Sequence, residues 1–133
     1  MSSTKANTLY KILSYWFPVF LYCLLIFLQS SYPSPEAVPD LPYIDKLLHI
    51  AVYALLGALL LRAFGSLRIK NNVKLVMMLS ILLSTLYGIS DEIHQYFVPY
   101  RNADLTDVFA NLLGSIIGVY IYQSLYIRWE RKN

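Results

Sequence analysis

The chain has 133 residues, of which 57% are hydrophobic and only 14% charged, with a mean hydropathy of +0.49. A soluble domain carries about 25% charged residues, and one this short cannot hide so much apolar surface. The composition therefore points to a bilayer, and a net charge of +3 scattered between apolar runs excludes a nucleic-acid partner as the expectation.

A membrane-spanning helix needs roughly 20 mostly apolar residues, and backbone groups in hydrocarbon must pair internally, so long apolar runs are read as helices. The first run is Leu9 to Leu28, interrupted only by Lys11. Its apolar part is longer than a signal-peptide core, and no small-residue cleavage site precedes the proline-rich stretch. Tyr22 stands before the sole cysteine, Cys23, where a lipoprotein site would have a small residue. Neither cleavage nor lipidation is expected, and a lone cysteine allows no internal disulfide.

The segment from Gln29 to Pro42 contains Pro33, Pro35, Pro39 and Pro42. It reads as extended and semi-rigid, with Pro42 suited to the first turn of the next helix. That second run is Ile44 to Phe64, opening on Asp45, Lys46 and His49. A short basic connection near Gly65 to Asn72 follows. The third run starts at Leu75, and Pro99 is the first residue that should stop it. Ending at Ser90 leaves a span too short to cross. Continuing to Phe97 embeds Asp91, Glu92, His94 and Gln95, and embedded acids face a bundle interior or a wet cavity. We adopt the longer helix. The fourth run is Val108 to Ile127, without an internal charge. The fold class is an all-α, integral membrane four-helix bundle, one domain over 1–133.

Lys and Arg collect on the cytoplasmic side of membrane proteins. With both termini inside, nine of the eleven fall there, all but Lys46 and Arg101, whereas Glu130 alone of the eight acids does. This predicts an N-in/C-in topology with the acids and both histidines at the outer face. Trp16, Trp129 and many of the twelve tyrosines suit an interfacial belt.

Helical spacing groups the polar residues. Asp45, His49 and Tyr53 share one face of the second helix. Tyr87, Asp91 and Gln95 share one face of the third, with Ser84, Gly88 and Glu92 on an adjoining stripe. Asp104, Asp107, Asn111, Gly114 and Gly118 recur at three and four in the fourth, charged at one end and small in the middle, where small residues let helices approach. The three stripes are expected to face each other around an outward-opening pocket, with the first helix as a support. The bland readings stand beside this one. Asp104 is an N-cap candidate and Asp107 a first-turn acid. Lys46 is expected to snorkel to head groups, Arg101 to neutralise Asp91 or Glu92, and Asn111 to make an interhelical hydrogen bond.

These residues also carry a family resemblance. Asp45-Lys46-Leu47-Leu48-His49 with Tyr53 resembles the opening motif of VanZ-like membrane proteins. Ser90-Asp91-Glu92, Gln95, Phe97, Pro99 and Arg101 resemble the central motif. Asp104, Asp107, Asn111 and Gly114 resemble its continuation, so the likeness spans about 43–118. The family's namesake is linked to teicoplanin resistance, which implies an envelope-related role in the bacterial cytoplasmic membrane rather than a defined reaction.

Three functions compete. The first is a pocket that binds or modifies a membrane lipid head group, a cell-wall precursor or a glycopeptide ligand. There Arg101 clamps a phosphate or carboxylate, and Asp45 and Glu92 take amines or hydroxyls. The second is a membrane-embedded enzyme using His49 with Asp91 and Glu92. No nucleophile elbow or phosphate loop is present. His49, His94 and carboxylates are possible zinc donors, but their spacing matches no metal motif, so neither a metal nor another cofactor is expected. The third is a small transporter, disfavoured because the cytoplasmic half is apolar.

Overall fold

The structure is a computed structural model that describes residues 2–33 and 43–130. The central part of the proline-rich loop, including Pro35, Glu36, Pro39, Asp40 and Pro42, lies outside the described residues, as do Arg131 and Lys132. Four helices follow in chain order: α1 (Ser2–Ser30), α2 (Ile44–Phe64), α3 (Val73–Tyr96) and α4 (Leu105–Glu130). A 3-10 turn at Arg68–Asn71 joins α2 to α3, and the Asn72 side chain caps α3 by accepting the Leu75 N–H at 3.1 Å.

All four helices are long and apolar enough to cross a membrane. The bounds of α2 coincide with the apolar run. By contrast, α1 begins seven residues before Leu9, because a polar segment outside hydrocarbon still satisfies its backbone as helix. Large apolar side chains, among them Phe17, Phe20 and Leu24 of α1 and Met78, Leu82 and Leu86 of α3, stand exposed on the bundle. In water this would be an unstable surface, whereas against acyl chains it is the solvated one.

The tightest pairing is α2 against α4. A side chain on Gly118 would collide with the backbone of Ala54, and one on Gly114 with the backbone of Ile50. Gly57 returns the contact, since a Cβ there would sit 2.8 Å from the Ser115 carbonyl oxygen. Lipid gives helices no hydrophobic drive to associate, so close backbone approach through small residues and interhelical hydrogen bonds must do it. Ser115 adds one such bond, its Oγ donating to Ser84 Oγ of α3 at 2.7 Å. Helix α1 packs on the outside of this trio. Trp16 meets Phe64 edge-on at 5.2 Å near one end, and Val19 and Ile26 pack with Tyr53, Leu56 and Leu60 along its length.

The α2–α4 contact therefore predicts that Gly118→Val destabilises the protein by about 3 kcal/mol, the upper part of the overpacking range. Leu113→Val, at a half-exposed position on the same helix, should cost well under that. Thermal unfolding in detergent checks this, and equal melting temperatures for the two variants would contradict the packing described.

Candidate functional site

Helix α3 runs past Ser90 to Tyr96 with Phe97 as its C-cap, and Asp91, Glu92 and Gln95 are buried between the helices. The chain then turns through Tyr100, which holds a left-handed backbone at φ 64°, a conformation uncommon outside glycine. This turn brings Arg101 back over the end of α1 and starts α4 at Leu105. Asp104 caps α4: its carboxylate accepts the Thr106 N–H at 2.9 Å. That N–H and the nearby Lys46 hold the Asp104 carboxyl down to about 2. Because the shift is downward, the cap is in place above the ordinary carboxylate range and is lost only as pH falls through about 2.

Two connected groups of polar side chains occupy this end of the bundle. The first centres on Asp91. Its Oδ1 accepts from Ser30 Oγ at 2.5 Å, and its Oδ2 accepts from Tyr53 OH at 3.1 Å and from Gln95 Nε2 at 3.3 Å. Three neutral donors thus surround a buried carboxylate, the condition for keeping one there. The second group centres on His49. Its Nδ1 lies 2.8 Å from Asn111 Oδ1 and 3.8 Å from Glu92 Oε1, and its Nε2 lies 3.6 Å from Asp107 Oδ2. Lys46 joins the α4 acids to α2. Its Nζ is 2.9 Å from Asp45 and 3.0 Å from Asp104, and it also bonds Asp107. Two side-chain atoms in this second group, Glu92 Oε1 and Asn111 Nδ2, are buried without a hydrogen-bond partner.

A cavity of about 420 Å³ opens beside these groups, between α1, α2 and α3. One part of its wall is apolar, from Leu25, Ile26, Leu48 and Val52, and the other is polar, from Gln29, Asp45, His49, Tyr53, Asp91, Gln95 and Arg101. A second hollow of about 670 Å³ at the opposite end is bordered by Arg62 and Lys70.

The sequence-derived candidates therefore divide. Asp45, His49, Tyr53, Asp91, Gln95 and Arg101 line the cavity, whereas Glu92, Asp104, Asp107 and Asn111 do not. The Ser84/Gly88/Glu92 stripe meets His49 and the α4 stripe between α2, α3 and α4, whereas the Tyr87/Asp91/Gln95 stripe turns toward α1, where the cavity lies. Three expectations need correcting, and the two histidines stay apart. Helix α1 is more than a support, because Ser30 bonds Asp91, Ser31 Oγ lies 3.0 Å from His94 Nε2, and Tyr22, Leu25, Ile26 and Gln29 line the cavity. Lys46 does not snorkel: three carboxylates within reach outweigh a head group. Arg101 pairs with neither Asp91 nor Glu92. Its Nε and Nη2 donate to the Tyr32 and Gln29 carbonyls at 2.9 Å each, at and just past the end of α1. His94 does not join His49, since its ring stacks on Phe27 at 4.7 Å.

Removing one donor from a buried acceptor costs about 1–3 kcal/mol. Ser30→Ala should destabilise by that amount, whereas Ser14→Ala, whose hydroxyl bonds an exposed carbonyl of its own helix, should cost less than about 0.5 kcal/mol. Denaturant unfolding in micelles measures both, and an unchanged Ser30→Ala protein would contradict the Asp91 geometry.

No curated protein and no solved structure matches this chain significantly. The family model described as VanZ/LLP1 matches residues 4–126, nearly the whole sequence and more than the motif-bearing stretch alone. The chain is thus a membrane protein of the VanZ/LLP1 family.

Proposed function

We propose that this protein holds an amphiphile, a membrane lipid or lipid-linked envelope intermediate, in the cavity between α1, α2 and α3. The observation that carries this reading is the joining of two surfaces in one cavity. Leu25, Ile26, Leu48 and Val52 suit an acyl segment, and Gln29, Asp45, His49 and Arg101 suit a head group. Most amphiphile-sized sites combine such a largely apolar wall with a few placed polar groups.

Arg101 uses two of its five N–H donors on backbone carbonyls. The rest remain to meet a phosphate or carboxylate, and the fork geometry suits either. Asp45 is more than half exposed and supplies an acceptor for amines or hydroxyls. Glu92 is not part of this set, being buried on the α4 side of His49.

The asymmetry of basic and acidic residues supports placing the polar end outside a bacterial cytoplasmic membrane with both termini cytoplasmic. In that orientation the cavity meets lipid head groups of the outer leaflet. Family membership supports an envelope role and an influence on glycopeptide susceptibility.

Native mass spectrometry of the full chain released from gentle detergent tests the reading. A co-purified amphiphile is expected on the wild-type protein and is expected to be lost from Val52→Trp, which fills the apolar wall. Arg101→Ala should weaken retention of an anionic lipid about ten- to a hundredfold, the worth of hydrogen bonds to a charged group. Equal lipid occupancy in the wild-type and Val52→Trp proteins would overturn the proposal.

A further inference from the structure

The His49 group has a feature that amphiphile binding does not explain. His49 of α2, Glu92 of α3 and Asp107 of α4 each present one donor atom, and these atoms all lie within 4.8 Å of one another. We propose that the three side chains form a binding site for a divalent transition-metal ion of the zinc class. Of the three, only His49 also lines the cavity, so the inference stands whether or not the cavity holds a lipid.

Three independent observations support it. First, Glu92 Oε1 is buried, has no hydrogen-bond partner and lies 3.8 Å from His49 Nδ1. A carboxylate oxygen in that position normally has a donor, and a cation between it and His49 would supply the missing partner.

Second, each proposed ligand is already held by an outer partner that leaves one donor atom free. Asp107 gives Oδ1 to Lys46 and turns Oδ2 toward His49. Glu92 Oε2 accepts the Asp104 N–H at 3.4 Å, leaving Oε1. Asn111 Oδ1 engages His49 Nδ1, leaving Nε2. Metal-binding histidines and carboxylates are typically oriented in this way, by a hydrogen bond at the atom that does not coordinate.

Third, the buried charges are unbalanced. Glu92 and Asp107 are both buried and face one permanent cation, Lys46, whereas the other two acids near it, Asp45 and Asp104, are exposed. Uncompensated charge at membrane depth is costly, and a divalent ion offsets it.

The donor set of one imidazole nitrogen and two carboxylate oxygens suits zinc and its neighbours. Zinc bonds of about 2.0–2.2 Å place tetrahedral donors roughly 3.3–3.6 Å apart. The site therefore needs only a small inward movement of side chains. Three protein ligands leave one position open, the arrangement of a centre that binds a ligand rather than one that only braces a fold.

The test uses the full chain purified without chelator. Elemental analysis and Zn²⁺ titration are expected to give about one ion per chain, as a three-ligand site requires. The ion should be lost in His49→Ala, Glu92→Gln and Asp107→Asn and kept in His94→Ala. Asn111→Ala should weaken affinity roughly 10–100-fold, as loss of a positioning partner does. Should the ligand variants fail to fold, chelation of the wild-type protein decides: EDTA is expected to lower its melting temperature and added Zn²⁺ to restore it. A wild-type protein that takes up no divalent ion, or one whose melting temperature ignores both EDTA and Zn²⁺, would overturn the proposal, as would full metal content in Glu92→Gln and Asp107→Asn.

Discussion

A charged side chain at membrane depth must find a partner within the protein, because hydrocarbon offers none. That constraint organises this molecule. Asp91, Glu92 and Asp107 are all nearly fully buried, and each pulls side chains or backbone donors from other parts of the chain toward it. Asp91 draws Ser30 of α1 and Tyr53 of α2. Asp107 draws Lys46 of α2. Glu92 draws the amide that opens α4. The bundle is thus tied at one end by polar contacts, while at mid-depth it is held by the close approach of glycines on α4 to the backbone of α2. The two devices cooperate, since Gly114 and Gly118 bring α4 near enough for Asp107 and Asn111 to reach Lys46 and His49.

The same arrangement sets what the end can do. Packing α2, α3 and α4 together consumes the space between their polar stripes, so the cavity forms where α1 leans on the trio. Its walls are necessarily mixed: α1 contributes mostly apolar residues, and α2 and α3 turn the edges of their polar stripes into it. Arg101 sits where the loop before α4 crosses the end of α1, which puts a cation at the mouth without burying it.

Much of this was legible in the sequence because helical spacing is strict. Asp45, His49 and Tyr53 had to share a face, as did Tyr87, Asp91 and Gln95, and the length needed to span hydrocarbon required α3 to continue beyond Ser90. The parts that were not legible depend on contacts between distant segments. Ser30 and Ser31 are small polar residues at the end of an apolar run. Nothing local reveals that Ser30 meets Asp91, sixty-one residues away. Lys46 was misread because the snorkelling argument weighs one side chain against lipid, whereas its fate was decided by Asp104 and Asp107 on another helix. The ligand geometry around His49 was hidden for the same reason, its three members coming from three helices with no fixed spacing.

The central claim is that buried charge is matched across helices, and the Lys46–Asp107 pair carries it most directly. A double-mutant cycle of Lys46→Met and Asp107→Asn, read by unfolding free energy in one detergent, measures it. Lys46→Met leaves the buried Asp107 carboxylate without its cation and should cost about 3–5 kcal/mol, whereas Asp107→Asn, which leaves Lys46 with Asp45 and Asp104, should cost less. The double variant is expected to lose far less than the two together, and strict additivity of the two losses would contradict the account.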